Sequence, residues 1–282
     1  MNLDGKIALV TGASRGVGAA VAVALAEKGA NVAIAARSTA GSPTALPGTL
    51  EETAERIRAA GREALIVPTN LAKDEEIVAM VERTVEHFGR IDILINNAAL
   101  AVPNDNGMNL TTKHFNLLMA VNTRAPMVAS AVAARHMIKQ GSGAIINVSS
   151  AAGVYRVPAL TAYGMAKLAL EHYTVMFADE LAGAGVSVNC FRIDIGTASE
   201  GLLARSDDHH ADEWEPPAVT AEGFIWILEQ GPEYTGQVLS MATLRREAGV
   251  MKTRVSKPNE APPGATILPE PLVRGHAPIA RQ

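Results

Sequence analysis

Apolar positions along this chain follow two spacings that take turns. Short runs of branched side chains are succeeded by longer stretches in which apolar residues recur at helical intervals. Ile7–Val10 predicts a buried strand, Gly18–Lys28 an alanine-rich helix stopped by Gly29, and Asn31–Ala35 a second strand. Leu50–Ala60 predicts a helix stopped by Gly61, Ala64–Val67 a third strand, Lys73–Phe88 a helix ended by Gly89, and Ile91–Ile95 a fourth strand. Thr111–Ile138 reads as mostly helical, with Pro126 kinking it or marking a junction between two helices. Ala144–Val148, Ala162–Leu181, Val186–Phe191 and Gln237–Met241 then predict a strand, a long helix and two more strands. Alternating strands and helices call for an α/β fold, one doubly wound parallel sheet of about seven strands with helices on both faces. The strands lack strict apolar–polar alternation, as expected of a sheet covered on both sides.

Two segments break this rhythm. STAGSPTALPGT, residues 38–49, is a loop inserted after the second strand. Residues 251–282 are proline-rich and weakly apolar, and such a segment cannot build a core of its own. The expected organisation is a sheet domain over 1–250, with a substrate lid at about 197–220, and an extended tail over 251–282 that hangs free or lies along a neighbouring subunit.

Composition narrows the picture. A chain of 282 residues that is 48% apolar can bury a sizeable core. Its net charge of -4 is spread over both signs with no basic block, which argues against nucleic acid as partner. Cys190 is the single cysteine, so no internal disulfide forms, and its place in an apolar strand favours packing over nucleophilic chemistry. The first strand begins almost at Met1, which leaves no room for a signal peptide, and the apolar stretch Val17–Ala26 is too short to span a bilayer. The expectation is a cytoplasmic protein without a membrane segment.

Between the first strand and helix, the run TGASRGVG contains Gly12, Ser14, Arg15, Gly16, Val17 and Gly18. Glycines there let the backbone turn tightly beside a pyrophosphate, and the following helix offers unpaired N–H groups. This is the signature of a Rossmann-type dinucleotide site. Where an NAD site usually carries an acidic residue, the second strand ends in Ala36 and Arg37. Arg15 and Arg37 together form a cationic fork for a 2′-phosphate, so NADP(H) is expected over NAD(H).

The chemistry sits further along. Tyr163 and Lys167 are four residues apart on a predicted helix and so share a face. A phenol titrates near pH ~10, and a neighbouring ammonium lowers that value by stabilising the phenolate. Tyr163 thereby becomes a usable general acid or base. Ser150 ends the fifth strand, at the edge where open α/β sheets bind ligands, and its hydroxyl is placed to hold a substrate oxygen.

TGASRGVG (11–18), NNAA (96–99), Asn122 in MAVNTRAP, and Ser150 with YGMAK (163–167) occur in an order that resembles the short-chain dehydrogenase/reductase family over roughly the first 240 residues. The resemblance implies that Tyr163 is the acid/base and that Ser150 orients the carbonyl. It implies that Lys167 binds the nicotinamide ribose and that Asn122 holds a water in a proton relay. Asn97 and Ala98 would line the adenosine side, and Ser149 would be structural. Three places depart from the family pattern. Asn70–Leu71 stands for the usual Asp–Val at the adenine, Ala99 ends NNAA, and Ile193–Asp194 replaces the usual Pro–Gly before the carboxamide contacts expected of Ile195 and Thr197.

In the lid, Trp214, Leu202 and Leu203 are expected to face substrate, with Tyr155 as a further pocket wall. His209 and His210 lack regular ligand spacing, so no metal is expected. The resemblance also implies a homodimer or homotetramer through the Tyr163 helix, which exposes Leu168, Leu170, Val175, Met176 and Phe177 around its circumference. The function expected is NADP(H)-dependent carbonyl reduction or alcohol oxidation of a small molecule. A non-catalytic cofactor-binding sensor or scaffold, and an epimerase or dehydratase on the same site, stay open as alternatives.

Overall fold

In the computed structural model, residues 1–102, 105–155, 157, 159–204 and 212–255 are described. Seven strands form one sheet: β1 (Ile7–Thr11), β2 (Asn31–Ala36), β3 (Ala64–Pro68), β4 (Ile93–Asn96), β5 (Gly143–Ser150), β6 (Val186–Ile193) and β7 (Val238–Ser240). Their order is β3-β2-β1-β4-β5-β6-β7, and every neighbouring pair is parallel. The chain therefore reverses its direction of winding between β1 and β4. That reversal opens a crevice at the carboxyl ends of the strands, where open α/β sheets bind ligands.

One core layer packs α1 (Gly16–Glu27), α2 (Leu50–Ala59) and α8 (Pro217–Glu229) on one face of the sheet. The other packs α3 (Asp74–Phe88), α5 (Ala125–Gln140) and α6 (Thr161–Glu180) on the opposite face. Local sequence explains the ends. Thr49 and Glu52 close a reciprocal capping box on α2, and Gly89 terminates α3 in the left-handed conformation. Gly223 lets α8 settle on β6: a Cβ there would stand 2.6 Å from Phe191 and 2.8 Å from Met251.

The long helix expected over Thr111–Ile138 is divided, and Pro126 marks the junction between the two helices. α4 (Thr112–Met119) passes into a π-turn over Ala120–Arg124 before α5 begins. Pro126 sits in the first turn of α5, where a missing N–H costs little. Thr112–Gln140 is long and apolar enough to cross a membrane by composition, yet Ala129, Ala133 and Met137 are buried against the sheet as core. α8, the short α7 (Glu200–Leu203) and α9 (Met241–Ala248) were not marked by the periodicity. The first residues after 250 dock on their own chain: Met251 is fully buried, and its N–H donates to Glu222 at 3.1 Å. Residues 256–282 lie outside the described residues.

Candidate active site

β6 ends at Ile193, inside the departure from the family pattern. Ile193 stays in the strand opposite Ser150, and Asp194 accepts the Ala242 N–H at 3.1 Å, fastening α9 to the strand end. Ile195 and Thr197, both nearly buried, follow at the crevice, with the Thr197 hydroxyl 3.0 Å from that of Thr220.

A cavity of about 730 Å³ occupies the crevice. Gly12, Ser14, Arg15, Gly16, Val17, Gly18, Arg37, Asn70, Leu71, Asn97, Ala98, Ser150, Tyr163, Lys167, Ile195 and Thr197 all line it. Thr44 and Leu46, from the inserted loop, do so too, as do Leu100, Leu117, Val121, Leu202 and Trp214. Leu203 and Tyr155 do not line the cavity, contrary to expectation. His209 and His210 lie outside the described residues. Among the described residues, no three His, Cys, Asp or Glu side chains gather as metal ligands would.

The glycine loop packs closely against the end of β4 and against itself. Gly12 has φ +68, and a Cβ on it would come within 2.7 Å of the Ala98 Cα. Gly18 is held by proximity instead: a Cβ there would meet the Gly12 carbonyl oxygen at 2.3 Å and the Asn97 amide at 2.4 Å. Asn97 ties the two central strands, its side-chain N–H donating to the Thr11 carbonyl at 2.8 Å while the Thr11 hydroxyl accepts the Asn97 and Ala98 N–H groups. This bare loop opening α1 fits a pyrophosphate.

At the cavity rim, Arg37 is exposed. Arg15 is engaged with the inserted loop: its Nε donates to the Pro47 carbonyl at 2.6 Å, and its Nη2 faces Thr44, Leu46 and Gly48 oxygens at 2.8–2.9 Å. Burial holds the Arg15 guanidinium below its ordinary pKa, and the nearby positive charge of Arg37 acts in the same direction. The Asn70 oxygen already accepts the Ala72 N–H at 3.1 Å, leaving a second lone pair for an adenine amino group.

At the chemical end, Lys167 is 2% exposed. Its Nζ donates to the Val148 carbonyl at 2.7 Å and stands 5.6 Å from the centre of the Tyr163 ring. Burial pushes the ammonium down to about 8, with Cys190 and Glu171 opposing. One turn on, Glu171 is buried and forms a two-pronged pair with Arg192 at 2.8 and 2.7 Å. Cys190 is wholly buried, and burial raises its thiol well above the usual value, so it is core. Ser149 and Ser150 both line the cavity with Tyr163; Ser150 accepts the Ala152 N–H at 3.3 Å, and the Ser149 hydroxyl donates to the Lys167 carbonyl at 3.4 Å.

Asn122, expected to hold a relay water, stands behind the cavity wall. It sits in the π-turn, does not line the cavity, and is fully buried. Its amide accepts the Leu100 N–H and donates to the Leu100 carbonyl, both at 2.7 Å. Such an amide fastens the cavity wall and keeps one N–H and one lone pair for a relay water.

Known proteins agree with this geometry. The family model for short chain dehydrogenases matches residues 6–197. An uncharacterized oxidoreductase of Thermotoga maritima is 41% identical over 206 residues, 73% of this chain and 77% of that protein. The bovine hydroxysteroid dehydrogenase-like protein 2 is 32% identical over 272 residues, 95% of this chain but only 63% of its own length. Among solved structures, a short chain dehydrogenase from Burkholderia cenocepacia in complex with NADP superposes with a TM-score of 0.74 at 30% identity, covering 85% of this chain and 97% of that one. With sheet order, glycine loop and Ser150, Tyr163 and Lys167 converging on one crevice, this chain is an oxidoreductase-family protein and belongs to the short-chain dehydrogenases.

Proposed function

We propose that this protein exchanges a hydride between NADP(H) and the carbonyl carbon of a ketone, or the carbinol carbon of a secondary alcohol. The observation that carries the reading is that Ser150, Tyr163 and Lys167 open onto the same cavity as the glycine loop. NADP(H), when bound, supplies or accepts the hydride. The glycine loop and the start of α1 hold the pyrophosphate, Arg37 and Arg15 face the 2′-phosphate, and Ile195 and Thr197 hold the carboxamide. Ser150 donates to the substrate oxygen. Tyr163 gives that oxygen a proton during reduction and takes it back during oxidation. The buried charge of Lys167 keeps phenolate accessible near neutrality.

Leu100, Leu117, Val121, Leu202 and Trp214 give the substrate end apolar walls, which favours an apolar ketone or secondary alcohol. Mixing the protein with NADPH and cyclohexanone, acetophenone or benzaldehyde tests the reading. Oxidation of NADPH that disappears in Tyr163→Phe supports it; a Phe variant as active as the native chain sinks it. An NADPH-binding sensor would bind cofactor without turnover across that panel.

We also propose a homodimer or homotetramer through α5 and α6, acting in the cytoplasm. Met127, Met165 and Met176 are 40%, 54% and 40% exposed there, beside the stacked rings of Tyr173 and Phe177. Leu170, expected on that surface, is core instead. A monomer by light scattering would refute the assembly.

A further inference from the structure

Tyr163 is the third residue of α6, in the turn of a helix that frays most readily. The opening N–H groups of a helix have no partner inside it. Leu160, at the cap position, supplies no side-chain acceptor. The acceptors come instead from one residue far away in sequence. Asp105 is fully buried. Its main-chain carbonyl accepts the Thr161 N–H at 2.9 Å, and its two carboxylate oxygens accept those of Ala162 at 2.9 Å and Tyr163 at 2.8 Å. The Gly164 N–H then closes the first intrahelical bond, to Leu160 at 2.8 Å. Asp105 thus receives all three helical N–H groups that precede that bond, among them the amide of the acid/base residue itself.

The segment that carries Asp105 is anchored in turn. Asn122 grips Leu100 at both main-chain atoms, and Leu100 and Ala101 line the cavity. Asp105 also pairs as a parallel bridge with Leu160. Cavity wall and helix start are therefore joined through this one residue. Its negative charge also suits the positive end of α6.

We propose that Asp105 is a positioning residue for the reaction: its carboxylate fixes the first turn of α6 and so sets where the Tyr163 phenol meets the substrate oxygen. This rests on the reading of Tyr163 as acid/base. Misplacement of a catalytic group by about 1 Å costs up to ~100-fold in rate. The signature is a loss of kcat, with cofactor and substrate affinity retained.

The experiment compares native chain, Asp105→Ala, Asp105→Asn and Tyr163→Phe with NADPH and the ketone of the panel that is reduced fastest. Asp105→Ala is expected to lose at least ~10-fold in kcat. Its KM and its NADPH dissociation constant stay within about twofold, because the cavity lining is intact. Asp105→Asn, which keeps one acceptor oxygen, should recover part of the loss. If Asp105→Ala keeps native kcat while Tyr163→Phe is inactive, the positioning role is overturned and the site reading stands. If Tyr163→Phe is itself active, the site reading has failed. Hydrogen exchange on the native protein gives a result even if the Ala variant does not fold. The amides of Thr161, Ala162 and Tyr163 should be protected like those in the middle of α6, and rapid exchange there refutes the proposal.

Discussion

The Lys167 ammonium is held by the carbonyl of Val148, 2.7 Å away, inside a core that gives it almost no water. Burial lowers its pKa to about 8, from an unfolded value near 10.5. Between those two values the unfolded chain binds more protons than the folded one, so this group makes the fold more stable as pH rises from about 8 to 10.5. Below about 8 the cost of burying the charge is fully present. Lys167→Met removes that cost and the dependence with it. Denaturant unfolding across this range should show native stability gaining on that of the Met variant. A constant difference between the two would refute the buried charge. Turnover in Lys167→Met should be lost at every pH.

Tyr163→Phe keeps the ring beside Lys167 and deletes the proton carrier. Turnover should fall by at least ~100-fold, the lower range for general acid–base catalysis. NADPH affinity should stay close to native, since the ring still fills its place in the cavity. Single-turnover kinetics with a fluorescence titration separate the two quantities.

How much of this was readable beforehand follows the range of the interactions. Tyr163 and Lys167 were legible because an i,i+4 pair is local, and Gly12 and Gly18 because their turn is local. The seven strands were legible because a sheet buried on both faces writes itself as apolar runs. α8 was not. It packs against α1 and the sheet with Val219, Phe224, Ile225 and Leu228 buried, so it shows no polar stripe to reveal a helical period. Asp105 was invisible for a different reason: its partners Ala162 and Tyr163 are 57 and 58 residues away, and nothing in NDNGMN marks a cap for them. Pro126 marked the junction between α4 and α5 because proline is a local signal, whereas the π-turn at Asn122 has no residue code.

The proposed preference for NADPH rests on Arg37 and Arg15 in different ways. Arg37 is exposed at the rim, so Arg37→Asp removes a phosphate partner and adds repulsion without disturbing packing. Titration should show NADPH favoured over NADH in the native chain and the preference lost or reversed in the variant. Arg15→Ala should do more, because its guanidinium also holds the carbonyls of Leu46, Pro47 and Gly48. Limited proteolysis within residues 38–49 should accelerate in Arg15→Ala and stay at the native rate in Arg37→Asp.

Glu215 joins residues 196–198 to the docked residues after 250. Its main chain bridges Gly196 and Ala198, next to the Thr197 expected at the carboxamide. Its buried carboxylate accepts from Arg245 at 2.9 Å and from the Arg254 N–H at 2.8 Å. Burial alone would raise this carboxyl's pKa; bonds from Thr253, Arg254 and Arg245 outweigh it and hold the group below its usual range. A depressed carboxylate contributes stability above its unfolded pKa and loses it as pH falls through the folded value. Glu215→Gln should therefore unfold more easily at neutral pH, by roughly 3 kcal/mol, and the gap should close in acid. A chain ending at Gly249 loses Met251 and Arg254 together. It should melt earlier than a chain ending at Val255 and bind substrate more weakly. Equal melting of the 249 and 255 chains would show that the docked residues contribute nothing to stability.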